Sequence, residues 1–283
     1  MNNNKLNPLI AIAFVLVYMA IMVGAQMAVL LVESIINRQV MVEIDVVGIM
    51  ITSALYSIIA IVVFAVLKWS PLSRTFVDKR PVAILSWCTI AALGAVLPSM
   101  ALQQLTETAL QPLIASMEQM APQLVEAIRQ YTTQAEAQMA EIMSTTGGYA
   151  IICLLAPIAE EMVFRGAALR KLLEWKPQHR WLMITLSALI FACAHMNPTQ
   201  FLHPLLIGLL LGWMYERTGS ILPGIVYHWA NNTAAYLMFR AYPDPDITLT
   251  DIFQSNLHVG LAVVFSLLII VPAIYQLHLR MKR

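Results

Sequence analysis

Ala156-Pro157-Ile158-Ala159-Glu160-Glu161-Met162-Val163-Phe164-Arg165-Gly166 sets two adjacent carboxylates and an arginine inside an apolar stretch, about 149–173, long enough to cross a bilayer as a helix. A charge at the bilayer centre costs roughly 3 kcal/mol on insertion scales, so acids in such a stretch mark a functional site by default. On an α-helix Glu161 and Arg165 are i,i+4 and lie about 40° apart around the axis, whereas Glu160 is turned about 100° from Glu161 and about 140° from Arg165. This geometry predicts a buried structural ion pair, Glu161 with Arg165, and leaves Glu160 as the free, reactive carboxylate. The competing reading is that all three charges only pack a bundle.

Working outward, the chain has the composition of a polytopic, all-α membrane protein. Of its 283 residues, 59% are hydrophobic and 12% charged, with a mean hydropathy of +0.72, against about 45–50% apolar and about 25% charged in soluble domains. A formal net charge of +1 supplies no basic field for nucleic acid. Cys88, Cys153 and Cys193 stand alone in apolar runs, which excludes a fully paired disulfide framework and any Cys-x-x-Cys metal site and predicts buried, inert thiols. The residues up to Lys5 lead directly into a run too long for a signal-peptide core, so that run is the first span.

Eight segments reach or approach the roughly 20 apolar residues of a span: 9–32, 46–67, 82–102, 149–173, 181–195, 201–215, 221–239 and 257–275. The fifth and sixth are short and joined by the tight turn Met196-Asn197-Pro198-Thr199-Gln200, so that hairpin need not reach the far face. With both termini cytoplasmic, all of the 17 Lys and Arg except Arg38, Arg129 and Arg240 fall inside. The inner set includes Lys5, Arg74, Lys79, Arg80, Arg280, Lys282 and Arg283, and acids such as Glu43, Glu126 and Asp246 fall outside. This asymmetry predicts an eight-helix transmembrane bundle in a bacterial inner or plasma membrane, with N- and C-termini cytoplasmic.

The stretch 103–147 is rich in Gln, Glu, Met and Ala. Leu110, Leu113, Met117, Met120, Leu124, Ile128 and Tyr131 recur every three or four residues, the pattern of an amphipathic helix. It is expected to be an extracytoplasmic helical insertion broken by Pro122. The expected organisation is three transmembrane helices over 1–102, the insertion over 103–147, a catalytic four-helix core over 148–239, and a loop with the last span over 240–283.

Two further polar pairs follow on separate spans. Phe191 and His195 are i,i+4 on the fifth, and His228 and Asn232 are i,i+4 on the seventh. At about 1.5 Å per residue, His195 rises about 21 Å from Trp181, His228 and Asn232 about 12 and 18 Å from Ser220, and Glu160 about 15 Å from Arg170. All four side chains can therefore meet near mid-membrane. His179, His203, His258 and His278 fall near span ends, without such company.

Glu160-Glu161-Met-Val-Phe-Arg165 resembles the E-E-x-x-x-R motif of the CPBP intramembrane proteases, the CAAX-processing and bacteriocin-processing or Abi family that includes the eukaryotic Ras-converting CAAX endopeptidase. Phe191-Ala-Cys-Ala-His195 resembles its F-x-x-x-H motif, with Phe191 in a supporting place, and His228-Trp-Ala-Asn-Asn232 its H-x-x-x-N/D motif. Order and spacing agree over about 148–239. The resemblance implies an eight-helix bundle with a membrane-embedded cavity and hydrolysis of membrane-bound peptide or protein substrates. It implies that Glu160 and His195 activate a water while His228 and Asn232 stabilise the oxyanion. The chemistry suits such roles: amide hydrolysis needs a base for water and donors where the tetrahedral oxygen develops charge.

Two readings of other classes compete with this one. Glu and His in membrane helices also build the proton relays of transporters, although no paired interrupted helices mark two halves here. The same fold could instead sequester a peptide without cleaving it, as an immunity-type protein would. The cofactor expectation is likewise divided. Glu160, His195 and His228 are metal ligands only if zinc is bound, as a His₂Glu set with an open position. Against zinc, no two of them share a helix at fixed spacing as in H-E-x-x-H, and Asn232 is a poor zinc ligand but a good donor. A metal-free glutamate–histidine mechanism is the favoured expectation. The sequence carries no signal for oligomeric state.

Overall fold

The structure, a computed structural model, describes residues 6–38, 45–71, 81–198, 200–244 and 247–281. Lys5, Glu43, Arg74, Lys79, Arg80, Thr199, Asp246, Lys282 and Arg283, used above for topology and for the turn, lie outside the described residues. The regular structure among the described residues is all helical, with no strand. The helices are α1 (Asn7–Asn37), α2 (Val46–Val66), α3 (Pro81–Met120), α4 (Pro122–Ser144), α5 (Thr146–Trp175), α6 (Arg180–Ala194), α7 (Leu202–Thr218), α8 (Leu222–Ala241), α9 (Leu249–Phe253) and α10 (Asn256–Arg280). Their starts are encoded locally. Asp45 accepts from the Gly48 N–H at 2.8 Å, Thr145 from Gly148 at 3.0 Å and Ser255 from His258 at 3.2 Å, while proline opens α1, α4 and α8.

All eight apolar stretches become helical, but five helices, α1, α2, α3, α5 and α10, are long and apolar enough to cross a membrane. α6 is apolar but short, at 15 residues, and α7 has 17. α8 has 20 residues but carries His228, Asn231, Asn232, Thr233 and Arg240, which lower its mean hydropathy.

The third span also differs from expectation. It does not end near residue 102 but continues as one helix through Pro98 and Pro112 to Met120, 40 residues and about 60 Å in all. The polar stretch that follows Leu102 is itself good helix material. The Thr106 and Thr108 hydroxyls donate to carbonyls four residues back, and Gln103 donates to Glu107 at 2.9 Å. The break falls at Pro122, which has no N–H to continue the helix, with Ala121 outside helical geometry.

α5 is the axis of the assembly and packs against α1, α2, α4, α6, α7 and α8. Two hydrophobic cores flank it. One joins α1, α2, α5 and α6 through Phe14, Tyr18, Phe64, Phe164 and Phe191; the other joins α3, α7, α8 and α10 through Cys88, Leu211, Tyr227 and Leu277. α6 and α7 form a close antiparallel pair because Gly208 and Gly212 carry no Cβ. One at Gly208 would lie 2.9 Å from the Ala188 Cβ, and one at Gly212 would lie 2.9 Å from Ile184. Arg180 of α6 reaches Glu216 of α7 at 2.5 Å at the open end of this hairpin.

α5 is not α-helical throughout, so steps of 100° per residue do not hold along it. Ala150–Leu155 and Glu161–Leu169 are π-helical, with α-helical Ala156–Glu160 between them. Pro157, lacking an N–H, sits in that link. The wider turns present backbone carbonyls to side chains. Asn232 Nδ2 donates to Ile152 O at 3.0 Å, Ser187 Oγ to Phe164 O at 3.4 Å and Arg170 Nε to Gly166 O at 3.0 Å.

Candidate active site

Glu161 and Arg165 pair on the buried side of α5. Arg165 Nη1 donates to Glu161 Oε1 at 2.8 Å, and the two side chains are 1% and 0% exposed. α8 approaches closely here because residue 224 is glycine; a Cβ at that position would lie 2.5 Å from Glu161 Oε2. The Arg165 guanidinium also lies over the Phe191 ring, 4.2 Å from its centroid. That ring meets Phe164, His195 and His228 at 5.0, 4.7 and 6.1 Å between centroids, each near edge-on. Phe191 is thus the spacer that sets the ion pair and both histidines around one ring.

Glu160 is the last residue of the α-helical link, and its side chain is 18% exposed. His228 stands between the two acids. Its Nε2 lies 3.8 Å from Glu160 Oε2 and its Nδ1 lies 3.5 Å from Glu161 Oε1. Both separations exceed an ordinary hydrogen bond, so these contacts are electrostatic. Glu161 therefore serves His228 as well as Arg165.

His195 closes α6. Its Nδ1 lies 2.9 Å from Phe191 O, and since a carbonyl only accepts, Nδ1 carries the proton and Nε2 of the neutral ring keeps its lone pair. Met196, next in the chain, is left-handed at φ 49°, which turns the backbone sharply out of the helix. Asn232 reaches the site from α8. One of its amide N–H groups is used on Ile152 O, and its Oδ1 accepts from Asn231 at 3.4 Å. Glu160, Glu161, Arg165, Phe191 and His228 are thus contiguous, His195 joins them through Phe191, and Asn232 is fixed to the first π-helical stretch of α5. Among the described residues no three His, Cys, Asp or Glu side chains group as ligands of one ion. As placed, Glu160, His195 and His228 do not make a three-ligand zinc set.

Sequence reasoning missed three features. His203, in the first turn of α7, lies near enough to His195 and His228 for their charges to act on it. The tight turn held the clue, since a short hairpin returns the start of α7 beside the end of α6. Tyr18 of α1 and Tyr56 of α2 lie near enough to Glu160 for its charge to act on them. Cys193, expected to be buried like Cys88 and Cys153, is exposed. It lines an apolar cleft of about 540 Å³, between Thr106 and Leu110 of the extended α3 and Phe201 and Leu202 at the start of α7. The cleft exists because α3 runs on past residue 102.

No curated protein and no solved structure gives a significant match to the chain. A family model does: residues 143–234, about a third of the length, match type II CAAX prenyl endopeptidase Rce1-like. The match begins in the last turn of α4 and ends within α8, so it encloses α5, the α6–α7 hairpin and both members of the His228 and Asn232 pair. The helices that hold the two acids, both histidines and Asn232 in place thus lie in the segment that is similar to the CPBP, or CAAX protease, family.

Proposed function

We propose that this chain is an intramembrane endopeptidase acting on membrane-bound peptides or proteins, of the CAAX-processing or bacteriocin-processing kind. The carrying observation is the bracketing of His228 by Glu160 and Glu161 at 3.8 and 3.5 Å, beside a His195 whose Nε2 is free to accept a proton. In this mechanism Glu160 and His195 remove a proton from water as its oxygen attacks the scissile carbonyl carbon. His228 and the remaining N–H of Asn232 donate to the oxyanion, and the C–N bond breaks as the proton passes to the leaving amine. Glu161 and Arg165 hold His228 and Phe191 in place. Residues 148–239 form the catalytic core, flanked by 1–102 and 240–283.

The mechanism as written uses no metal. Purified protein in detergent, chelated exhaustively and checked by elemental analysis, is expected to cleave a membrane peptide with no detectable zinc. Stoichiometric zinc, with activity lost on its removal and restored on its return, would overturn the metal-free reading. Comparing the cleaved proteome of wild type with that of Glu160→Ala then names substrates. No difference between them would favour a protein that binds peptides without cutting them.

In the proposed orientation both termini are cytoplasmic and 103–147 is outside. With Cys193 first changed to alanine, because it is exposed, a cysteine at Glu126 is expected to react with an impermeant thiol reagent in intact cells and one at Arg280 to be protected. The opposite labelling would invert the topology.

A further inference from the structure

Each of the two site residues that α8 supplies is followed in the chain by a residue bound to the same phenol. Trp229, next to His228, donates its indole N–H to the Tyr149 hydroxyl at 3.1 Å. Thr233, next to Asn232, shares a hydrogen bond with that hydroxyl at 3.3 Å. Tyr149 stands in α5 just before the first π-helical stretch, and Ile152 O, within that stretch, accepts from Asn232 at 3.0 Å. The Tyr149 ring lies edge-on to Tyr236 at 5.5 Å between centroids, and Tyr236 donates to Thr145 O at 3.0 Å. Trp229, Asn232, Thr233 and Tyr236 fall within an arc of about 100° around α8. One face of α8 is thus tied to residues 145–152, and His228 lies about 40° from Asn232, at the edge of that face.

An indole N–H set among apolar helices needs an acceptor, and phenylalanine at 149 would pack on Tyr236 without supplying one. The phenol grips α8 on both sides of Asn232 and so resists rotation of that segment about its own axis. We propose that Tyr149 is a positioning residue, which holds Trp229 and Thr233 and thereby aims the remaining N–H of Asn232 at the place where the oxyanion forms. This rests on the peptidase reading above. Tyr149 acts through Asn232 and needs no contact with the substrate.

The test compares Tyr149→Phe and Thr233→Val, each in wild type and in an Asn232→Ala background, by steady-state kinetics on one membrane peptide and by thermal unfolding in the same detergent. Tyr149→Phe is expected to stay folded at the assay temperature, with kcat lowered at least about tenfold and KM within about twofold, because a misaimed donor loses rate and not binding. Thr233→Val should lower kcat less, in the same direction. In the Asn232→Ala background Tyr149→Phe should cost less than about twofold more, since the group it positions is already gone. Full activity in Tyr149→Phe, while wild type cleaves, would overturn this proposal and leave the peptidase reading intact. An equal loss in both backgrounds would also overturn it, by assigning the hydroxyl to the fold. Should Tyr149→Phe melt below the assay temperature, Thr233→Val carries the same comparison, and an unchanged kcat there would be equally fatal. A wild type that cleaves no peptide would remove both readings together.

Discussion

Glu160→Gln is expected to leave a folded protein whose kcat on a membrane peptide falls about 10²–10⁴-fold, the range for removal of a general base. Glutamine keeps the shape and one carbonyl oxygen but cannot take a proton from water. Glu160 lies outside the Glu161–Arg165 pair and is 18% exposed where Glu161 is 0%, so the change removes no buried salt bridge. The informative partner is Glu161→Gln, because His228 stands 3.8 Å from one acid and 3.5 Å from the other. If Glu160→Gln kept full activity while Glu161→Gln was folded and dead, the roles of the two acids would be exchanged. Both variants are read by kinetics and by thermal midpoint, which separates lost chemistry from lost fold.

Arg165→Ala should destabilise the protein by about 3–5 kcal/mol, the cost of leaving a buried charge without its partner. Arg165 is 1% exposed and is the largest fully buried side chain among the described residues. Its removal also takes the cation from the face of Phe191, worth about 2 kcal/mol where desolvated. The double change Glu161→Gln with Arg165→Met removes both charges at similar volume and should recover much of the loss. Denaturant unfolding in detergent measures both. An Arg165→Ala variant within about 1 kcal/mol of wild type would show that Glu161 does not depend on this pair.

What was legible in the sequence follows the range of the forces involved. Apolar stretches of about 20 residues and breaks at Pro122 and at the Met196 turn are local, and the helices form there. Glu161 and Arg165 are four residues apart on one helix, close enough to pair even though that stretch is π-helical and not α-helical. The i,i+4 pairs on separate spans were equally readable, although nothing local says which ring atoms face which acid. The missed features come from packing. The π-helical turns of α5 depend on Asn232, Ser187 and Arg170 taking carbonyls, and two of those donors belong to other helices. Tyr18 and Tyr56 sit in ordinary apolar runs, and only the seating of α1 and α2 on α5 brings them within range of Glu160. The continuation of α3 past residue 102 was hidden because hydropathy ends a span where the membrane does, while helix propensity goes on.

The shortness of the α6–α7 hairpin has its own consequence for the surrounding lipid. At 15 and 17 residues these helices measure about 22 and 26 Å, against a hydrocarbon layer of about 30 Å. Their outward faces, with Trp181, Leu182, Leu189 and Leu206 exposed, therefore offer acyl chains less height than a full bilayer has. Hydrophobic mismatch of this kind is met by local thinning, at fractions of a kcal/mol per Å. If the hairpin lies in the bilayer as the topology proposed above has it, a dimple beside it would bring headgroups and their hydration closer to the end of α6, where His195 stands. The hydrolysis proposed above would consume water at every turnover, and a thinned patch would shorten that water's route.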